Sequence, residues 1–336
     1  LKFAWDLVLV IKENGIGSVS MWNRLIVKIG LRGLFFILIS GISLNILTAY
    51  PPSPTLATVP GNYQSNVPSY MNLLRNFDYN SQAPLEVREK LIASSDSLVH
   101  FEISYMNPRR WRVVAELVKP AGTGPYAGLI YLCNNSEDRQ TFLNEARTLV
   151  HTGIVALIVD TSMRLADSNA VAIDLDSQTI QSVLDIRRAV DYLLARPEID
   201  PRRIGFVGNA EGANLGGIIA GVEKRIRALI LISANVCPSE SADQAPSAFL
   251  DGLHYIGYAA PANLLLQYNV LDNNISRDMA QLCFQAASQP KTLNWYSTDP
   301  LRDPQAHTDR LDWICKQLIN HATLGVSAGE LLETSQ

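Results

Sequence analysis

The chain carries six apolar runs in succession: "AGLIYLC" (127–133), "IVALIV" (154–159), "RIGFVG" (203–208), "RALILIS" (227–233), "ANLLLQY" (262–268) and "KTLNWY" (291–296). A strand that is apolar on both faces needs cover on both faces, which is the situation of a parallel sheet with helices on each side. Helical patterns lie between the runs. In "TIQSVLDIRRAVDYLLAR" the residues Val183, Ile186, Val190 and Leu193 fall on one stripe, and "RPEIDPRR" stops that helix. Ahead of the six runs, "VHFEISY" (99–105) and "RVVAELV" (112–118) flank "MNPRRW" and read as an antiparallel hairpin. The pattern predicts an α/β chain, a mostly parallel doubly wound sheet of about eight strands with an N-terminal hairpin. Ligands of such sheets sit at the carboxyl ends of the strands.

With 336 residues, 47% of them hydrophobic and 18% charged, the chain is long enough for one large domain with appendages, or for two small ones, with a sizeable core. A net charge of −4 and the absence of a basic patch argue against a nucleic-acid partner; "NPRRWR" (107–112) reads as a polar turn. The cysteines Cys133, Cys237, Cys283 and Cys315 form no C-x-x-C pair, so no zinc site is expected. No spacing of oxygen ligands resembles a calcium loop, and "GNAEGANLGG" does not match a dinucleotide fingerprint. Neither metal nor cofactor is expected.

Arg24, Lys28 and Arg32 precede an apolar run over 33–49, and a proline-rich stretch follows. Basic flank, short hydrophobic core and then small residues is the order of an export signal. The 17 residues of the run stand at the lower end of the roughly 17–25 that span a bilayer. A cleaved signal peptide and a retained membrane tether therefore both fit 21–49, and either puts the folded domain outside the cytoplasm. Residues 1–20 precede the first methionine and are expected to be an over-extended start. A linker is expected over 50–69, the folded domain over 70–322 and a tail over 323–336.

Within the domain stands "GFVGNAEGANLGG" (205–217). A strand turning into a helix through Gly208-Asn209-Ala210-Glu211-Gly212 has the form of a nucleophile elbow. Its central residue occupies a strained backbone position, and glycines two residues to either side avoid the resulting collision. Both glycines are present. The central residue, however, is Ala210, whose methyl cannot attack a carbonyl. Gly216 and Gly217 are expected to let the following helix lie close to the sheet.

Taken with "VVAELVKPAGTGPYAGLIYL", "VLDIRRAVDYLLARPEIDPRRIGFVG", "APANLLLQYNVLD" and "PKTLNWYSTDPLRDPQAHTDRLDWI" in that order, the elbow resembles the α/β-hydrolase superfamily, and within it dienelactone-hydrolase-like and related esterase or peptidase domains. The resemblance covers roughly 70–319. It implies an α/β-hydrolase fold with a triad acid at Asp272, a histidine at Asp299 or Pro300, and an oxyanion hole near Cys133, Asn134 and the backbone N–H of Glu211. Neither Asp299 nor Pro300 shuttles a proton as imidazole does. The usual His-Gly pair of the oxyanion turn is replaced by Cys133-Asn134-Asn135. A substitution made only to trap substrate would leave both of those turns untouched.

The other candidates divide between chemistry and structure. Cys133 has no basic or histidine neighbour in sequence and reads as a core thiol. Glu211 could bind a cation or activate water, although an acid in the first turn of a helix is favoured by the dipole alone. His307 follows the expected histidine turn by seven residues, on the last helix, and His254 precedes the strand that carries Asp272. The expectation is an exported α/β-hydrolase-fold protein without triad catalysis that binds a small apolar or acyl-type ligand or a partner. One alternative is an active ester or lactone hydrolase in which Glu211 or Asp272 activates water with help from His254 or His307. Another is a structural module at the membrane surface, its pocket filled by side chains.

Overall fold

The computed structural model describes residues 69–161, 174–235 and 250–319. The expected signal or tether at 21–49, the linker up to residue 68, the tail, Cys237 and His321 lie outside them.

One sheet runs in the order β1-β2-β3-β5-β4-β6-β7-β8-β9. Its strands are β1 (Arg88–Ser94), β2 (Leu98–Met106), β3 (Arg112–Pro120), β4 (Tyr126–Cys133), β5 (Ile154–Asp160), β6 (Ile199–Asn209), β7 (Ile226–Ile232), β8 (Asn263–Asn269) and β9 (Lys291–Tyr296). The strands from β1 through β3 to β5 pair antiparallel, and those from β5 through β4 to β9 pair parallel. This is the expected doubly wound, mostly parallel sheet with its antiparallel N-terminal hairpin, and its strands number nine. The strand that no run in the sequence marks is β1, whose residues are exposed throughout. "REKLIAS" therefore carries neither an apolar run nor an alternation. It is a strand only through its backbone pairing with β2, interrupted by a bulge between Leu91 and Ala93.

The helices are α1 (Tyr70–Leu74), α2 (Ser136–Leu149), α3 (Leu175–Leu194), α4 (Glu211–Val222), α5 (Leu253–Ile256), α6 (Arg277–Ala286) and α7 (Pro304–Leu318). Apolar side chains of α3, α4, α5 and α6 share one core with one face of the sheet, and those of α2 and α7 share a second core with the other face. Asp174 starts α3 by accepting the Ser177 N–H at 2.9 Å. Its stripe Val183, Ile186, Val190 and Leu193 is fully covered, each side chain contributing about 1.5–3 kcal/mol of apolar burial. A second, polar stripe of α3 is buried as well. Arg188 donates to the carbonyls of Ser81 at 3.1 Å, Ala83 at 2.7 Å and Met106 at 3.3 Å, and Arg187 donates to Phe77 O at 2.7 Å. The hairpin turn is organised by buried Asn107. Its side-chain oxygen accepts from the backbone of Arg109 and Trp111, and its amide donates to Asp185 at 2.8 Å.

Candidate functional site

At the end of β6 the backbone turns into α4 through Ala210, with φ 48° and ψ −112°. A side-chain-bearing residue reaches that region only under constraint. The constraint is visible on both sides. Ala210 N donates to Ile232 O at 2.9 Å, and Ala210 O accepts from the amides of Ala213 and Asn214, both at 3.0 Å. A methyl at Gly208 would stand 2.4 Å from Gly212 O, and one at Gly212 would stand 2.9 Å from Leu132 O. The glycines are thus required for the close approach of turn, helix and neighbouring strand. Gly216 serves the helix packing, since a methyl there would lie 2.4 Å from Leu231. Ala210 and Glu211 are both exposed, while Gly212 and Ala213 behind them are buried, so the turn presents the Ala210 methyl and the Glu211 side chain to solvent.

Two polar bridges tie the elbow to the loop after β4 and to the first turn of α2. Asn134 donates its amide to the Glu211 carboxylate at 2.7 Å, and Asn209 donates to Asp138 at 3.2 Å. Asn134 and Glu211, expected together at the oxyanion side, are brought together as side chains. Cys133 is not part of that surface. It is buried and its thiol donates to Val159 O at 3.4 Å. Burial, with the Asp160 and Asp138 carboxylates adding to it, pushes the thiol far above its ordinary range, so no thiolate is available there.

Asp138 was not singled out by the sequence. It is only 4% exposed, in the first turn of α2. Burial raises its pKa despite the bonds from Asn209 and Asn135, and the Asp299 and Glu137 charges raise it further. An acid whose pKa is raised on folding holds more protons in the native state than in the unfolded one. Its contribution to stability is therefore present at low pH and is lost as pH rises from the ordinary aspartate value of about 3.9 through the raised native one. Asp138→Asn is expected to flatten the fall in urea midpoint across that window. An unchanged pH dependence in the variant would contradict this.

The remaining expected positions are spent on local structure. The Asp272 carboxylate, half-buried after β8, accepts the Asn274 N–H at 2.7 Å and the Ile275 N–H at 3.1 Å. Asp299 accepts from Leu301 N at 3.0 Å and pairs with Arg302 at 3.0 Å. Pro300 is buried, and its carbonyl accepts from Arg310 at 3.2 Å. Asp303 then caps α7, accepting from Gln305 N and Ala306 N and from the Thr298 hydroxyl.

Behind this turn lies a buried ion pair. Arg310 of α7 and Glu145 of α2, 0% and 1% exposed at their side chains, form a two-pronged pair. Arg310 also donates to Gln267 at 2.9 Å, and the Tyr131 hydroxyl donates to Glu145 at 3.2 Å. Gln267 in turn donates to the Tyr296 hydroxyl at 3.0 Å and Ala306 O at 2.9 Å. Sequence reasoning did not single out this pair; its signal is the spacing Ala306, Arg310, Ile314, which sets an arginine on the buried stripe of the last helix.

Four histidines fall among the described residues. His307 faces Glu145 at 3.8 Å, and burial lowers its pKa while that carboxylate pulls the other way. His254 is buried in α5, beside Tyr255. Tyr255 packs on Gly221, eleven residues along α4 from Ala210 and so roughly 16 Å away at the helical rise. His100 pairs with Glu116 at 2.7 Å on β2 and β3, and His151 follows α2, ahead of the start of β5. None is hydrogen-bonded to Asp272 or to the elbow. Among the described residues there is no group of three or more metal-ligating side chains, and no helix is long and apolar enough to cross a membrane.

The elbow, its sheet and its helices have counterparts in known proteins. The family described as "BAAT / Acyl-CoA thioester hydrolase C terminal" matches residues 186–294, the span from α3 through β9. Acyl-coenzyme A thioesterase 3 of Mus musculus is 30% identical over 128 residues, 38% of this chain. The match covers 28% of that relative's length. An acetyl xylan esterase from a Paenibacillus species aligns over 80% of this chain and 100% of its own, with a TM-score of 0.61 at 17% identity. Acetyl xylan esterase 1 from a Thermoanaerobacterium species aligns over 76% of this chain and 95% of its own, with a TM-score of 0.62 at 13% identity.

Proposed function

The chain is an α/β-hydrolase-fold protein, and we propose that it binds a small acyl-type ligand at the elbow without performing acyl transfer. The observation that carries this reading is the retained geometry around a missing hydroxyl. Ala210 keeps a strained backbone at φ 48°, and strain of that kind costs on the order of 1–3 kcal/mol. A site with no remaining role has no reason to keep it. Asp272 meanwhile turns its carboxylate to Asn274 and Ile275, and no histidine among the described residues is bonded to it.

The ligand this surface favours is neutral. Glu211, Glu137, Asp138, Asp299 and Asp272 outnumber Arg302 and Arg139 in the described loops and helix starts at the carboxyl ends of the strands, and Arg302 is already paired with Glu137 and Asp299. Such a field repels polyanions, so a simple acyl ester or amide suits it better than a nucleotide-bearing thioester. The extracytoplasmic placement, by secretion or through a tether at 33–49, rests on the basic flank and apolar run in the sequence.

The test is a rate assay on the full chain with a short-chain aryl ester and a lactone. Hydrolysis is expected to stay at the buffer rate in the wild type and in Asp272→Asn and Glu211→Gln. A wild-type rate that falls in either variant would overturn the reading, because one of those carboxylates would then be activating water.

A further inference from the structure

The hydroxyl absent from β6 is present one strand away. Parallel register sets Asn209 opposite Ile232, so the next residues, Ala210 and Ser233, stand side by side at about 5 Å, the spacing of neighbouring strands. Both have a left-handed backbone, φ 48° and 51°. What holds Ser233 there is the edge of β8: Ser233 N donates to Gln267 O at 2.9 Å, and the Tyr268 hydroxyl donates to Ala234 O at 2.9 Å. Ser233 is half-buried, and its hydroxyl has no hydrogen-bond partner among the described residues.

Two residues on, Asn235 is anchored by its backbone N–H, which donates to Asn214 of α4 at 2.5 Å. The carboxamide oxygen of Asn235 is shielded from solvent and has no donor among the described residues. A buried acceptor left without a donor pays its desolvation in full, and the loss is recovered only when a donor arrives. The segment after β7 thus carries a free donor beside the elbow and an orphaned acceptor on Asn235, whose backbone is tied to Asn214, the residue whose own amide bonds Ala210 O.

We propose that Ser233 and Asn235 form a polar subsite beside Ala210 that reads an amide or alcohol group on the ligand. The Ser233 hydroxyl donates to the ligand oxygen, and the Asn235 carboxamide oxygen accepts from the ligand N–H or O–H. This deepens the ligand-binding reading and rests on it. An ester has no donor and leaves Asn235 unsatisfied; a carboxylate has no donor either and meets the Glu211 charge. Sites built around a hydrogen bond discriminate strongly against analogues that lack it.

The experiment is ligand-observed NMR titration of the full chain with hexanamide, hexan-1-ol, methyl pentanoate and hexanoate. The amide and the alcohol are expected to bind about tenfold more tightly than the ester, the increment of one or two net hydrogen bonds. Asn235→Leu is expected to erase that preference, and Ser233→Ala to weaken the amide, the alcohol and the ester alike, because each offers an oxygen to the hydroxyl. Ser233→Gly, which loses the hydroxyl but relaxes the left-handed backbone, guards against a variant that fails only by misfolding. Ester binding with no preference for the amide, a preference that survives in Asn235→Leu, or probe affinities unchanged in Ser233→Ala overturns the subsite and leaves the ligand-binding reading standing. No binding of any probe overturns both. Binding that persists in Ala210→Trp places the ligand elsewhere and also overturns the subsite.

Discussion

Arg310→Leu is expected to cost about 3–5 kcal/mol of folding stability, because it leaves the Glu145 carboxylate buried without its partner. The damage should spread beyond the pair. Gln267 and the carbonyl of Pro300 lose their donor as well, and the turn between β9 and α7 loses its tie to the core. Urea titration at constant pH measures the loss. The double variant Arg310→Leu, Glu145→Leu removes both charges and is expected to recover most of it, since a buried ion pair replaced by apolar side chains is often close to neutral. If the double variant is no more stable than the single one, the cost comes from packing and the electrostatic account is wrong.

The parts of the fold that were legible in the sequence are those whose signal lies in side-chain burial. β4 and β5 are buried at nearly every residue and stand out as apolar runs, and the stripe of α3 shows as a period. β1 was illegible because its pairing is made by backbone, which leaves no mark on residue type when both faces meet water. Of the site, the elbow was fully readable: Gly208, Ala210 and Gly212 are local in sequence and each has one steric reason. Asn134 and Glu211, 77 residues apart, were named for one side of that elbow from the resemblance, but their side-chain bond became visible only with strand order. Asp138, Arg310 and Ser233 went unremarked for a related reason. Their roles depend on what stands opposite them, and a polar residue opposite a buried partner looks the same in sequence as one opposite water.

Gly208→Val should unfold the elbow. The added Cβ would lie 2.4 Å and 2.5 Å from the carbonyl atoms of Gly212 and 2.8 Å from Ala213 N. All of these are backbone atoms in a helix start, with no rotamer that could move aside. The expected loss is about 3 kcal/mol, the upper part of the range for overpacking. Two residues on, the sign reverses. Ala210→Gly removes a side chain from a left-handed position and is expected to gain roughly 1 kcal/mol, less than the strain it relieves because glycine loses more entropy on folding. Differential scanning calorimetry on the two variants reads both effects. A loss of stability in Ala210→Gly would mean that the alanine methyl packs usefully and that the turn is less strained than its dihedral indicates.

The clamp made by Arg188 bears on how the domain can be cut and recombined. Its guanidinium is almost wholly enclosed, and the backbone oxygens it needs come from Ser81, Ala83 and Met106, two of them ahead of the first strand. A shortened chain that starts at β1 would retain every strand and still enclose a cation stripped of two of its three backbone acceptors, leaving only the Met106 carbonyl and the Asp191 carboxylate. Chimeras with related proteins should therefore transplant residues 75–83 and α3 together, as one inheritable unit, even though about a hundred residues of sequence lie between them.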